Sequence, residues 1–227
     1  GKIFINSLYD KVDMDKVNSV FILDIGLKEE DKDYFKKYKN VKILPTEFDL
    51  DFGDGIHSEN WIKAVISKTY FLRKLLMSES VEPVVMIDSD CMFIRDISDL
   101  IDTQYDMQIC YRDNNSTPLL GSYVSFNNKE KSIGFLNKWI DTIPTISTPW
   151  KESPALSQTK PLFENEMEFD LVPIHKVSSY EYSDMENEDV KIIHFKTGAR
   201  HKTVEETIQK RIEERGFKDY CKRYLDV

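Results

Sequence analysis

The chain of 227 residues is 41% hydrophobic, 12% aromatic and 31% charged, a composition that excludes a disordered polypeptide and predicts one globular domain with a substantial core. Its formal net charge of −9 argues against a nucleic-acid-binding protein, because binding phosphates requires a basic surface. The three cysteines have no metal-ligand spacing, and the sequence shows no signal peptide, which predicts reduced thiols in a cytoplasmic protein. No apolar run approaches the ~20 residues that a membrane span requires, so no transmembrane segment is expected.

The first half of the chain has the pattern of alternating strands and helices. Apolar, β-rich segments predict strands at 2–6, 18–25 and 41–45, and apolar residues at helical spacing predict helices at 28–39 and 59–77. Ser58 precedes the second helix as a candidate N-cap, and a turn-rich loop is expected at 49–55. Strands and helices that alternate at short intervals favour an α/β fold with a mostly parallel central sheet flanked by helices.

The second half mixes shorter strands and helices. Strands are expected at 84–87, 107–112, 121–127, 167–174 and 190–195, and helices at 129–143, within 148–159 and at 203–216. No internal repeat or linker interrupts the pattern, so a single domain is expected over residues 1–227. The chain begins with Gly1 and not with methionine, which is also compatible with one domain of a larger polypeptide.

The strand at 84–87 runs directly into two carboxylates, Asp88 and Asp90, with Ser89 between them. A buried strand that ends in two carboxylates requires a group that compensates their negative charge, because like charges at this range repel each other. Carboxylate oxygens suit Mg²⁺ or Mn²⁺, and ligands of open α/β sheets lie beyond the carboxyl ends of the strands. The alternative is that both aspartates are solvated in a turn.

A late segment, IIHFKTGARHK at 192–202, combines a histidine, a glycine and several basic residues. His194 is a candidate nitrogen ligand for a metal ion. The residues after it suit a diphosphate, because glycine permits close approach of the backbone and cations neutralise the charge. These residues are Lys196, Gly198, Arg200 and Lys202. The alternative is a half-buried histidine followed by a basic surface loop.

Two single residues complete the set of candidates. Lys68 lies on the helix at 59–77 before the acidic strand, where a lysine is otherwise solvated. Glu152 lies near Trp150 on a turn, where an acidic residue otherwise caps a short helix.

The order of these segments resembles that of glycosyltransferases of the GT-A fold, most closely the retaining galactosyltransferase and glycogenin-type family. The similar segments are VFILDIGLKEEDKDYFKK, SKTYFLRKLL, VVMIDSDCMFIRDISDL, GSYVSFN, PWKESPALS and IIHFKTG. Together they cover most of the chain. The resemblance implies a single GT-A domain of the Rossmann-like, nucleotide-diphospho-sugar transferase type. Its nucleotide-binding part would lie at about 1–100 and its acceptor-side part at about 101–227.

The resemblance also implies a role for each candidate residue. Asp88, Asp90 and His194 would bind Mn²⁺ or Mg²⁺, and Glu152 and Asp90 would act in catalysis. The residues implied in nucleotide-sugar binding are Asn6, Ser7, Lys68, Ser89, Gly121, Ser122, Lys196, Gly198, Arg200 and Lys202.

Three departures from the family pattern lie on the sugar and phosphate sides. Glu152-Ser153 stands where the family has Asp-Gln, Leu120-Gly121-Ser122 replaces Asn-Ser-Gly, and one residue is inserted between His194 and Gly198. In an inverting enzyme Glu152 would be the base for the acceptor hydroxyl. In a retaining enzyme it would stabilise oxocarbenium charge or hold the acceptor, and the resemblance favours retention.

The prediction for function is a metal-dependent glycosyltransferase that moves a sugar from a nucleotide-diphosphate sugar, a UDP-sugar, to a glycan or other hydroxyl acceptor, as in polysaccharide biosynthesis. One alternative is a sugar nucleotidyltransferase on a related fold, although KIFINSLYDK lacks the glycine-rich phosphate loop expected there. The other alternative is a catalytically inert nucleotide-sugar or glycan-binding module of a larger glycan-assembly protein.

Overall fold

The computed structural model describes residues 1–48, 58–78, 82–113, 116–180, 182–195, 210 and 212–225. The predicted loop at 49–55 and most of the predicted helix at 203–216 lie outside the described residues. So do Lys196, Gly198, Arg200 and Lys202. Within the described ranges, no helix combines the length and the apolar character needed to cross a lipid bilayer.

Helices and strands alternate along the chain, which confirms the α/β class. The helices of the described residues are α1 (Lys2–Lys11), α2 (Glu29–Phe35), α3 (Glu59–Ser78), α4 (Lys129–Thr142), α5 (Glu152–Thr159), α6 (Ile174–Val177) and α7 (Lys218–Leu225). The strands are β1 (Val20–Asp24), β2 (Val41–Pro45), β3 (Val84–Ile87), β4 (Cys91–Phe93), β5 (Met107–Tyr111), β6 (Leu119–Phe126), β7 (Phe169–Pro173) and β8 (Ile192–His194).

The strand predicted at 2–6 is wrong, because this segment belongs to helix α1. Its two isoleucines, Ile3 and Ile5, alternate as in a strand, but two residues are too few to distinguish the two periods. Both are buried together with Leu8 where α1 packs against β4 and α7. Strand β4 and helix α7 were themselves not predicted from the sequence.

The strand pairs are partly parallel and partly antiparallel. Strands β1 and β2 form a parallel pair. A four-stranded sheet has the order β3-β6-β5-β7, in which β6 is antiparallel to both of its neighbours and β7 is parallel to β5. Strands β4 and β8 form an antiparallel pair. The central sheet is therefore mixed and not mostly parallel.

Strand β6 separates two hydrophobic clusters, and all eight of its residues are buried. Val124 and Phe126 belong to a cluster with residues of α3, α4 and α5. Tyr123 belongs to a second cluster with residues of α1, α2 and β4. Because both faces of β6 are covered, its backbone is a fixed support for any side chain that packs against it.

Helix α3 begins as predicted from its capping residue. The Ser58 hydroxyl accepts a hydrogen bond from the Trp61 amide at 3.1 Å, and the helix then continues for 20 residues. Leu72 and Leu76 are buried on the side of α3 that packs with α4. The cap and this packing together fix the position of Lys68 in the middle of the helix.

We expect Ser58→Ala to lower the free energy of unfolding by ~1 kcal/mol, because it leaves a first-turn amide without its side-chain acceptor. Ser58→Asp is the matched control, since aspartate retains an acceptor at the same position and should stay near wild type. Urea denaturation of the three proteins measures the difference. Equal losses in both variants would contradict the capping role.

Candidate functional site

Polar side chains from several elements meet beyond the carboxyl end of β3. The turn that carries Asp88 and Asp90 joins β3 to β4 and is held on both sides by backbone hydrogen bonds. The Asp88 amide donates to the Ser122 carbonyl at 3.2 Å, and the Phe195 amide donates to the Asp90 carbonyl at 2.9 Å. In the β4–β8 pair, Cys91 lies opposite His194, so this histidine comes to the same turn.

Lys68 of α3 is at the centre of the cluster and contacts three acceptors. Its ammonium nitrogen lies 2.7 Å from Asp88 Oδ1, 3.0 Å from the Gly121 carbonyl and 2.8 Å from Glu152 Oε1. Burial alone would lower the pKa of Lys68, but the carboxylates of Asp88 and Glu152 outweigh this effect, and the net pKa is raised. Lys68 is therefore a permanent cation shared by two carboxylates from different elements.

His194 occupies the other side of the turn and is 3% exposed. Its Nε2 lies 2.9 Å from Asp90 Oδ1 and 3.9 Å from Asp88 Oδ2. Its Nδ1 lies 2.8 Å from the Ser178 hydroxyl, which in turn is 3.2 Å from the Ser122 hydroxyl. This polar chain orients the imidazole so that Nε2 faces the two carboxylates.

The Asp90 carboxyl is ionised in this setting. Burial raises the pKa of Asp90, but the electrostatic attraction of the neighbouring His194 ring and the hydrogen bond with it lower the pKa by more, so the net shift is downward. The carboxylate is thus available as a hard oxygen ligand at neutral pH.

The donor atoms fit a hard divalent cation. Two carboxylates and one oriented imidazole nitrogen form a ligand set that suits Mn²⁺ or Mg²⁺. Among the described residues, the ligand atoms that all lie within 4.8 Å of one another are those of Asp90, Cys91 and His194, and Asp88 approaches this group with its Oδ2 3.9 Å from His194 Nε2. However, burial and then the charges of Asp90 and Asp88 raise the pKa of the Cys91 thiol well above its usual value. The thiol is therefore neutral and is a poor ligand for such an ion.

A glycine makes room for the Glu152 side chain. A Cβ atom at Gly121 would lie 1.8 Å from Glu152 Oε1 and 2.6 Å from its Cδ, far inside van der Waals contact. The Glu152 carbonyl accepts a hydrogen bond from the Trp139 indole at 3.0 Å, and the Gly121 amide donates to the Ser153 hydroxyl at 3.4 Å. Helix α5 is thus anchored to α4 and β6, with its first acidic side chain directed at Lys68.

Of the other residues implied in donor binding, those that the structure describes either are exposed on the turn or have structural contacts. Ser89 is exposed on the turn between the two aspartates. Asn6 and Ser7 are buried in α1. The Asn6 side-chain amide donates to the Tyr224 carbonyl at 2.6 Å and accepts from the Tyr34 hydroxyl at 2.8 Å. The Ser7 hydroxyl accepts from the Phe93 amide at 3.0 Å. These contacts join α1 to α7, α2 and β4.

Sequence reasoning found most members of the cluster but not the contacts between them. The close approach of Glu152 to Gly121 was not predicted, although an isolated glycine inside a strand pattern signals such an approach. The role of Ser178 beside His194 had no sequence signal, because serine near a short helix is common.

Comparison with solved structures identifies the fold of the chain. No protein-family model matches the sequence, and no curated protein sequence matches it. Solved structures do match. The bifunctional glycosyltransferase WbbM aligns with a TM-score of 0.55 and 11% identity, over 100% of this chain and 49% of WbbM. The glycosyltransferase GlyE of Streptococcus pneumoniae aligns with a TM-score of 0.56 and 12% identity, over 97% of this chain and 60% of GlyE.

A third structure matches along most of both chains. An active-site mutant of LgtC aligns with a TM-score of 0.55 and 10% identity, over 94% of this chain and 90% of LgtC. The chain thus spans about half of WbbM and most of LgtC. Together these likenesses show that the chain has the glycosyltransferase GT-A fold, as the sequence resemblance predicted.

We expect Gly121→Ala to destabilise the protein by ~1–3 kcal/mol, because the added methyl group overpacks against the Glu152 carboxylate. The double variant Gly121→Ala/Glu152→Ala removes the obstructing side chain and should be no less stable than Glu152→Ala alone. A double-mutant cycle in urea denaturation measures this coupling. Additive losses would show that the two side chains do not contact each other.

Proposed function

We propose that the chain is a metal-dependent glycosyltransferase that transfers a sugar from a UDP-sugar to a glycan or other hydroxyl acceptor. The observation that carries the proposal is the single cluster of Lys68, Asp88, Asp90, Glu152 and His194 at the strand ends of a GT-A fold. Among the structural neighbours, LgtC is a galactosyltransferase whose structure has been solved with donor and acceptor sugar analogs, which supports this class of substrates.

The metal side of the site consists of Asp88, Asp90 and His194. A bound Mn²⁺ or Mg²⁺ supplies charge neutralisation and Lewis acidity at the diphosphate oxygens. The contribution of the chain is to hold Asp90 beside His194 before the ion arrives, with the imidazole oriented by Ser178 and Asp88 on the same turn. Preorganised ligands reduce the cost of ordering the site on binding.

The reaction side consists of Lys68 and Glu152. Lys68 is a fixed positive charge that suits the charge developing on the leaving diphosphate. The Glu152 carboxylate lies 2.8 Å from the Lys68 ammonium and is held in place by this contact. Glu152 therefore suits stabilisation of positive charge at the anomeric carbon or positioning of the acceptor, which favours a retaining reaction.

A panel of nucleotide-sugars tests the proposal. Each donor is incubated with the protein and Mn²⁺, and release of the nucleoside diphosphate is measured with and without glycan acceptors. We expect one UDP-sugar to be turned over and the activity to disappear in excess EDTA. Binding of UDP-sugars without turnover of any would instead indicate an inert binding module, and turnover in EDTA would contradict metal dependence.

We expect Asp90→Ala to reduce turnover by 10²-fold or more, roughly the effect of removing a group that stabilises the transition state. Circular dichroism should show that the fold is retained. Asp33→Ala is the control, because this aspartate lies on α2 with a side chain that is 72% exposed. The proposal would fail if both variants kept wild-type kcat.

Glu152→Gln keeps the shape of the side chain and removes its charge. We expect kcat to fall by about 10²-fold, as is typical when electrostatic help is lost, with little change in UDP affinity, because the nucleotide is held at the metal side. Glu164→Gln is the matched control, since Glu164 follows α5 and pairs with Lys160 at the surface. Equal losses of kcat and UDP affinity would contradict a role on the sugar side.

A further inference from the structure

A buried cysteine lies beside the candidate metal ligands. Cys91 is the first residue of β4 and directly follows Asp90. Its sulfur, an Asp90 carboxylate oxygen and a ring nitrogen of His194 all lie within 4.8 Å of one another. These atoms are a soft donor, a hard donor and a donor of intermediate character, respectively. We refer to Cys91, Asp90 and His194 as the thiol triad.

The register of the β4–β8 pair holds Cys91 beside His194. The two residues lie directly opposite each other in this antiparallel pair, so their side chains project from the same face. The neighbouring hydrogen bond runs from the Phe195 amide to the Asp90 carbonyl at 2.9 Å. Cys91 and His194 are therefore a non-hydrogen-bonded pair, the type in which opposite side chains are closer. The backbone thus brings the sulfur and the imidazole together without an ion.

The thiol triad passes from a partly exposed hard donor to a buried soft donor. The Asp90 side chain is 20% exposed, whereas Cys91 is 1% exposed and His194 is also buried. Cys91 belongs to the same hydrophobic cluster as Tyr123, so its sulfur lies where the core meets the polar cluster. An ion that enters from the aspartate side meets the oxygens first and the sulfur last. Its final position then depends on its preference for oxygen or sulfur.

This donor set distinguishes two kinds of divalent ion. Mn²⁺ and Mg²⁺ favour oxygen ligands and leave a neutral thiol unbound. Zn²⁺ binds cysteine, histidine and aspartate in tetrahedral sites, and it binds a given set of N, O and S donors more tightly than Mn²⁺ does. A thiol that binds Zn²⁺ is deprotonated, and its proton passes to the solvent. Asp88 Oδ2, 3.9 Å from His194 Nε2, is a fourth donor on the open side.

We propose that the thiol triad is a zinc site and that Zn²⁺ bound there excludes Mn²⁺ or Mg²⁺. Both kinds of ion would use Asp90 and His194, so only one can bind at a time, and Cys91 favours Zn²⁺. The site itself stands on the geometry of the triad. Its consequence, inhibition by Zn²⁺, rests on the proposed function. With Asp88 as fourth ligand, a tetrahedral ion has no position left for a diphosphate oxygen.

Absorption spectroscopy with Co²⁺ tests the site without any sugar chemistry. Co²⁺ occupies tetrahedral zinc sites and gives a near-ultraviolet charge-transfer band when a thiolate binds it. We expect this band in the wild type and its loss when Zn²⁺ is added. Cys91→Ser and Cys91→Ala should both lack the band. Cys221→Ser should retain it, because this equally buried cysteine lies on α7, against Met92. Circular dichroism identifies the variants that are folded.

Metal competition measures the contribution of the sulfur. The affinity for Zn²⁺ is measured against a chromophoric chelator, with and without excess Mn²⁺. Loss of a group that only supports a metal ligand typically lowers affinity by about 10–100-fold. We therefore expect loss of the sulfur in Cys91→Ser to lower the ratio of Zn²⁺ affinity to Mn²⁺ affinity by about 100-fold. Excess Mn²⁺ should raise the apparent Kd for Zn²⁺ in the wild type.

The spectra and the competition can each overturn the zinc site. Absence of the Co²⁺ band in the wild type, or its persistence in folded Cys91→Ser, would refute binding by the thiol. A Kd for Zn²⁺ that does not respond to Mn²⁺ would show that the two ions do not share ligands, and would refute the exclusion.

Donor hydrolysis separates the failure of the zinc site from the failure of the proposed function. We expect Zn²⁺ to inhibit hydrolysis of the donor in Mn²⁺, and added Mn²⁺ to relieve the inhibition. Hydrolysis supported equally well by Zn²⁺ and Mn²⁺ would contradict inhibition and leave the transferase standing. Thiol-dependent binding of Zn²⁺, with no nucleotide-sugar hydrolysed in Mn²⁺, would refute the transferase and leave the zinc site.

Discussion

One buried ammonium group holds the candidate site together. Lys68 contacts a carboxylate that follows β3, a carboxylate at the start of α5 and a backbone carbonyl of β6. None of these three elements is adjacent to another in the sequence. The contacts of Lys68 therefore fix their positions relative to one another. Removing one partner of a buried ion pair typically costs about 3–5 kcal/mol. The local structure therefore depends on all three contacts being present at once.

Several otherwise unrelated features follow from that constraint. Gly121 has no side chain because the Glu152 carboxylate occupies the space where a Cβ would lie. The Trp139 indole fixes the carbonyl of the same glutamate, so α5 cannot rotate its acid away from Lys68. On the other side of the turn, His194 faces Asp90 and is oriented through Ser178. The carboxylates of the cluster thus have partners on both sides of the turn, the Lys68 ammonium on one side and the His194 imidazole on the other.

This arrangement separates two chemical tasks. The oxygen and imidazole donors on the His194 side suit a hard divalent ion and a diphosphate. The lysine and glutamate on the α5 side suit charge that develops between the leaving group and the sugar. Asp88 touches both sides, since one carboxylate oxygen lies 2.7 Å from Lys68 and the other 3.9 Å from His194 Nε2. Binding of an ion at the metal side would therefore change the contact that Asp88 makes with Lys68 on the reaction side.

The sequence predicted the elements better than the contacts between them. The run Val84–Ile87 before Asp88 identified β3 correctly, because four consecutive apolar residues that end abruptly in acids are typical of a buried strand that reaches the edge of its sheet. Helix α1 was mistaken for a strand because Ile3 and Ile5 alternate over too short a stretch.

Contacts between distant parts of the chain were harder to predict. The three residues of β4 were missed because they directly follow the acidic turn and pair with β8, a strand about 100 residues further along the chain. The contact of Lys68 with Glu152 joins residues 84 positions apart (152 − 68), and no local pattern encodes such a distance. The glycine inside β6 was the one available signal of this close packing.

Calorimetric titration of UDP into the protein, in Mn²⁺ and again in EDTA, tests the central claim most directly. If Asp88, Asp90 and His194 hold an ion that bridges the protein and a diphosphate, the affinity for UDP should be about 10²-fold higher with Mn²⁺, equivalent to ~2.8 kcal/mol. Equal affinity in the two conditions, or no binding of UDP in either, would contradict a metal-bridged nucleotide site.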